Sequence, residues 1–152
     1  MQRTRLLAVA CLLLLAPAVA PMTGCQGGGP FGAFDPRAAA MAALSDAVKQ
    51  SVRSYLTGLE GVVKELNDVR DLTSAVKAID KVKPYYDDVQ RAMPELKKLS
   101  GKDLENVRVA FGPELEKAAD DFKGEAERLA GSGSIGTVLK AVLDQIKPFT
   151  AR

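Results

Sequence analysis

Carboxylates are the most abundant side chains in this chain that could do chemistry: 19 Asp and Glu, with two cysteines and no histidine. Close acids occur at Asp87-Asp88, Asp120-Asp121, Glu114 with Glu116, and Glu125 with Glu127. Two carboxylates can act as general acid and base when they face one cleft and their surroundings separate their pKa values. Sequence neighbours on a helix point about 100° apart, so adjacency does not make such a pair. Asp87–Arg91, Asp121–Glu125 and Glu125–Arg128 stand at helical contact spacing instead, and the first and last of these read as ion pairs on a solvated face. Metal chemistry lacks its ligands. Di-iron bundles need Glu-x-x-His pairs, haem attachment needs Cys-x-x-Cys-His, and zinc sites draw on cysteine and histidine. A glycine-rich phosphate loop needs a strand before it. Gly27-Gly28-Gly29 and Gly131-Ser132-Gly133 have none, and read as a tether and a turn. The expectation is a protein without catalysis, metal or cofactor.

One cysteine has a distinctive setting. Arg3 and Arg5 precede an uncharged apolar run from Leu6 to Ala16, followed by Pro17-Ala-Val-Ala-Pro21. A basic start, an apolar stretch and small residues form an export signal. A membrane span would be interrupted by Pro17 and Pro21 and falls short of the roughly 20 apolar residues it requires. Ala18-Val19-Ala20 has the small-x-small form of an ordinary signal-peptidase cut, but Pro21 follows it directly.

The next four residues, Met22-Thr23-Gly24-Cys25, resemble the lipobox of bacterial lipoproteins. The resemblance implies that residues 1–24 are a cleaved signal peptide. It further implies that the Cys25 thiol takes a diacylglyceryl group and that the new amine is acylated, with chains such as palmitate. The protein would then hang from a membrane of the bacterial cell envelope. Gln26 follows the cysteine, and in the enterobacterial sorting pattern a residue other than aspartate there implies the outer membrane. Cys11 would leave with the signal and Cys25 would be lipidated, so no disulfide could form within one mature chain. Beyond residue 25 the chain is similar in style to small helical lipoproteins of bacterial envelopes, a likeness that transfers no functional residues.

Charge narrows the partners. The whole chain has 21 basic and 19 acidic residues, and loss of Arg3 and Arg5 leaves the mature part neutral. Nucleic-acid binding needs a basic excess or patch, so none is expected. Neutrality also removes a polybasic second anchor. Acyl chains would hold the protein alone, firmly when there are two or more.

The elements that must carry any surface follow from residue 25 onward. Residues 25–35 are glycine-rich without apolar periodicity and form a tether, about 17 Å on average for a flexible chain. Phe31 and Phe34 could sit among lipid headgroups or simply cover the end of the folded part. Asp35-Pro36 is a helix start, a capping carboxylate followed by proline in the first turn.

Met41, Leu44, Val48, Val52, Tyr55, Leu59, Val62 and Leu66 then form one helical stripe through Gly58 and Gly61, predicting a helix of about 46 Å from Pro36 to Leu66. Asp46–Lys49 and Glu60–Lys64 belong on its wet face. Asn67–Asp71 is a polar turn. A second stripe runs Leu72, Val76, Ile79, Val82 or Lys83, Tyr86, Val89, Met93, Leu96 and Leu99, with Pro84 and Pro94 inside it. The phase survives both prolines, which favours one kinked helix over two short ones. Tyr86 falls in the stripe, and Tyr85 either caps the edge of the core, the favoured reading, or faces out beside Pro84 as a contact residue.

Ser100–Asp103 is the next turn. The third stripe is Leu104, Val107, Phe111, Leu115, Ala118 or Ala119, Phe122, Ala126 and Leu129; Gly112-Pro113-Glu114 inside it resembles a fresh helix start, but the phase carries through, which favours a kink over a break. Gly131–Ser134 ends it, and Ser134 caps a last helix from Ile135 to Lys147 with Val138, Val142 and Ile146 inward.

Residues 36–152 are therefore expected to be all-α, an up-down bundle of four helices, three long and one short. The expected function is that of a lipid-anchored envelope protein. Its helical surface docks on another envelope protein, or it faces the periplasm and holds an apolar or small ligand between its helices.

Overall fold

The computed structural model describes residues 34–149. Among them every regular element is an α-helix: α1 Pro36–Ala43, α2 Asp46–Asn67, α3 Leu72–Lys98, α4 Gly101–Ala130 and α5 Ser134–Leu143. The all-α bundle expected from periodicity is what folds, with five helices in place of four.

The extra helix arises near the start. The Asp35 carboxylate accepts hydrogen bonds from the backbone N–H groups of Arg37 (2.9 Å) and Ala38 (3.3 Å), satisfying two donors that a helix start leaves free. The single helix from Pro36 to Leu66 does not form. Leu44 is extended (φ −79°, ψ 141°), as is Ser45, whose hydroxyl accepts from the Val48 N–H at 3.3 Å and starts α2. Asp46 adds a favourable negative charge in that first turn. Leu44 keeps its place in the core at 3% exposure, so the apolar phase runs across the break and conceals it. Ser45→Ala is expected to lower stability by about 1 kcal/mol, the usual worth of such a cap, as read by urea unfolding.

α2 follows its predicted stripe, with Val52, Tyr55, Leu59, Val62 and Leu66 fully enclosed. Asp46 pairs with Lys49 at 3.1 Å as expected, whereas Glu60 and Lys64 do not pair with each other. The turn after α2 is less polar than its sequence suggests, because Val69 is buried at 1% exposure. Asp71 and Ser74 form a reciprocal capping box at the start of α3. Those hydrogen bonds, the Ser74 N–H first among them, hold the exposed Asp71 carboxyl below its ordinary pKa.

α3 is continuous through Pro84 and Pro94, and α4 through Pro113. Each proline lacks the N–H that would bond the carbonyl four residues back. Those carbonyls belong to Asp80, Gln90 and Val109, all exposed residues.

The buried face of α3 departs from the predicted stripe. Leu72 and Val76 are exposed at 48% and 54%, and Ala75, Ala78, Val82, Val89, Ala92 and Leu96 face the core. Small side chains let two helices approach closely, and α2 makes the matching allowance. A Cβ on Gly58 would lie 2.8 Å from the Tyr85 carbonyl oxygen, and one on Gly61 would lie 2.2 Å from Cδ1 of the Tyr85 ring. Tyr85 therefore packs flat on the Gly61 backbone.

Contacts along the helices give their directions. Gly58 against Val89, Gly61 against Tyr85 and Glu65 paired with Lys81 at 3.3 Å make α2 and α3 antiparallel. The Arg128 guanidinium reaches the Leu66 carbonyl at 2.8 Å, joining the C-terminal ends of α2 and α4. α4 follows its predicted stripe, burying Val107, Phe111, Leu115, Ala118, Phe122 and Leu129 with Ala110 added.

The last helix differs again from expectation. Gly133, at φ +57°, occupies its N-cap, Ser134 is the first helical residue, and the helix ends at Leu143. Leu139 and Ile146 are buried at 1% and 3%, while Val138 and Val142 are half-buried.

Candidate functional site

The lipobox residues Met22, Thr23, Gly24 and Cys25, the signal peptide and the tether up to residue 33 lie outside the described residues. Phe34 is 81% exposed and covers nothing. No helix among the described residues is long and apolar enough to cross a membrane.

The carboxylates are spread over the surface. Arg91 pairs with Asp88 at 2.6 Å, and meets only the backbone oxygen of Asp87. Asp121 pairs with Lys117 at 2.9 Å. Glu114 binds Arg37 of α1 through Oε1, and its Oε2 has no hydrogen-bond partner among the described residues. Glu116, two residues on, is exposed. Among the described residues no cluster of three or more acidic, histidine or cysteine side chains comes together.

Glu125 and Arg128 do pair, at 2.7 Å, but not as an idle surface bridge. Arg128 also donates to the Leu66 and Val69 carbonyls, at 2.8 and 3.3 Å. It adds a further donor to carbonyls at and just past the end of α2 that also accept from the Val69 N–H and from Arg70, where a cation is favoured by the helix dipole.

A groove of about 740 Å³ opens between α4 and α5. Its geometry follows from one residue. At Gly136 the two helices touch so closely that a Cβ would lie 2.7 Å from the Leu129 carbonyl oxygen and 2.9 Å from that of Ala130. Away from this contact the helices leave a channel whose walls run from Ala119 to Ala130 and from Gly133 to Pro148. Ala119, Phe122, Ala126 and Leu143 give it an apolar lining. The charged residues along it are Asp120, Lys123, Glu127, Lys140 and Asp144, with Lys140–Asp144 paired at 2.8 Å and Lys123–Glu127 at 3.9 Å. Such a groove can hold an apolar molecule by burial and offers it few directional bonds. None of Pro84, Pro94 and Pro113 lines it. Of its lining, the sequence singles out Phe122 and Ala126, as part of the α4 stripe; α5 contributes Gly136, Thr137, Lys140 and Leu143.

Past the end of α5 the chain packs on Tyr55 of α2. Its ring is fully enclosed, lies edge-on to Phe149 with centroids 6.3 Å apart, and its hydroxyl oxygen accepts from the Phe149 N–H at 2.6 Å. The segment after α5 is thereby tied back to α2. Burial raises the Tyr55 pKa above its ordinary value near 10, and the Phe149 N–H opposes that rise. The stability carried by the neutral phenol is complete below pH ~10 and falls as pH rises through the higher folded-state value. Phenolate absorbance in a pH titration is expected to show a late component that Tyr55→Phe removes.

Comparison with known proteins yields no matching family model, no matching curated protein and no matching solved structure.

Proposed function

We propose that this chain is a lipid-anchored protein of the bacterial cell envelope whose helical bundle serves as a non-catalytic interaction module. The observation that carries the reading is Met22-Thr23-Gly24-Cys25 directly after a basic and apolar leader. Cys25 is the lipidated residue, and the chain from Gln26 to Asp35 spaces the bundle from the membrane. The carboxylates support this division of labour, since those described above are engaged in single ion pairs or exposed.

The anchor is tested by metabolic labelling with palmitate in a host that processes lipoproteins. Cys25→Ser is expected to abolish incorporation, and persistent labelling refutes the assignment. The interaction role is tested by crosslinking in living cells followed by mass spectrometry. One reproducible envelope partner supports it, and a protein without a reproducible neighbour counts against it.

A second reading, in which the bundle holds an apolar ligand, is favoured by the α4/α5 groove. Its volume of about 740 Å³ lies inside the range of roughly 300–1,000 Å³ typical of ligand pockets. Native mass spectrometry of protein from its own host checks it: only bare polypeptide in repeated preparations would end this reading.

A further inference from the structure

α5 packs on both α3 and α4, two long helices that make few contacts with each other. On one side Val142 shares a cleft with Ile79, Val82 and Tyr86 of α3. On the other, Gly136 sits against the Leu129 and Ala130 carbonyls of α4. Beyond the helix, Ile146 is buried and Phe149 packs edge-on against Tyr55 of α2.

The polar bonds of this segment are nearly all internal. The Thr137 hydroxyl donates to the Gly133 carbonyl, and Lys140 pairs with Asp144. Among the described residues, one hydrogen bond and no ion pair join residues 134–149 to the long helices. That bond runs from the Phe149 N–H to the Tyr55 hydroxyl oxygen at 2.6 Å. Apolar contact supplies the rest, and it is modest. α5 has two buried residues, Gly136 and Leu139, against six or seven in each of α2, α3 and α4, so it can leave with most of the core in place.

The helix and its connection suit such a departure. α5 has 10 residues, fewer than the roughly 12–15 at which an isolated helix is even marginal in water, so it depends on its seat. Gly131-Ser132-Gly133 separates it from α4. Gly133 stands at φ +57° with open space where a Cβ would be, and no side chain caps the start of α5. Glycines in this link can absorb a change of direction that other residues would resist.

We propose that residues 134–149 are a hinged cover on the bundle. Parting of the Tyr55–Phe149 bond frees the far end, the segment turns outward on Gly131–Gly133, and α2, α3 and α4 stay packed. The movement bares Val82 and Phe122, now 1% and 4% exposed, and the ring of Tyr55. A closed bundle thereby gains an apolar opening along one side.

Hydrogen exchange of the full-length protein, read by mass spectrometry over a series of sub-denaturing urea concentrations, tests the cover. Amides of Val138–Leu143 and of residues 144–149 are expected to open together, at least about tenfold more often than those in the middle of α2. Their opening should depend weakly on urea because it exposes little surface, and that of α2 steeply. Equal protection and equal urea dependence in α5 and α2 would overturn the proposal, since α5 would then open only with the whole bundle. Tyr55→Phe keeps the ring and removes the acceptor. It should speed exchange in Val138–Leu143 as well as in residues 144–149, by about fivefold. Acceleration confined to residues 144–149 would also overturn the proposal, because the chain end would then fray while α5 stayed seated. If that variant fails to fold, the urea series on the unaltered protein decides.

Discussion

Gly58→Ala is expected to unfold at a lower urea concentration than the parent protein, although alanine is the better helix former. The propensity gain in a helix interior is about 1 kcal/mol. Against it, the new methyl would lie 2.8 Å from the Tyr85 carbonyl oxygen and 3.2 Å from the Val89 backbone nitrogen. These are helix backbone atoms and cannot rotate away, so α3 itself would have to move. Overpacking of this kind costs about 1–3 kcal/mol, enough to cancel or exceed the gain. Gly124→Ala is the control. It lies in α4, is exposed, and a Cβ there meets nothing within 4 Å, so this change should stabilise by up to about 1 kcal/mol. Opposite signs for the two substitutions would establish that Gly58 is kept for the close α2–α3 approach. A stabilising Gly58→Ala would show that the seam yields more easily than its geometry implies.

Tyr55→Ala should be more damaging. The side chain is fully enclosed, and emptying an aromatic site in a core costs about 3–5 kcal/mol. That is a large share of the 5–15 kcal/mol by which a domain is ordinarily stable. Tyr55→Phe separates packing from hydrogen bonding. It keeps the ring contact with Phe149 but leaves the Phe149 N–H without the oxygen it now reaches at 2.6 Å, a loss of about 1 kcal/mol. Urea midpoints measure both changes. Hydrogen exchange at residues 144–149 adds a local readout, since Tyr55→Phe should speed exchange there more than elsewhere. Unchanged exchange in that segment would mean that Ile146, buried at 3%, holds the chain end without help from the phenol.

The candidate groove was the least legible part of the molecule. Its residues were all visible in the sequence, and several were assigned to the α4 stripe: Ala119, Phe122 and Ala126. What could not be read was that α5 touches α4 at Gly136 and leaves the length toward Ala119 open, because the spacing of two helices depends on the atoms between them. Leu139 was overlooked for a related reason. Val138, Val142 and Ile146 fit a helical stripe of their own, but the chain stops being helical at Leu143, so the face that turns inward is set by where α5 lands. Arg128 was legible as a partner for Glu125, and only the folded chain brings it to the end of α2.

By itself the sequence determined the helical class, the cap at Asp35 and the buried faces of α2 and α4, and it favoured continuity of α3 and α4 through their prolines. It also supplies the lipobox-like run on which the proposed anchoring rests. These depend on interactions within a few residues, where helical period and capping chemistry act directly. Tertiary structure decided the rest. Ser45 breaks the first helix while Leu44 keeps the apolar phase, so periodicity alone could not register the break. α3 turns its alanines inward because the glycines of α2 admit a close neighbour, leaving Leu72 and Val76 outside. Val69 is buried in a turn of polar residues, and Phe149 is drawn to Tyr55 across 94 positions. Each of these depends on which surfaces meet, which is settled only when distant segments compete for the same core.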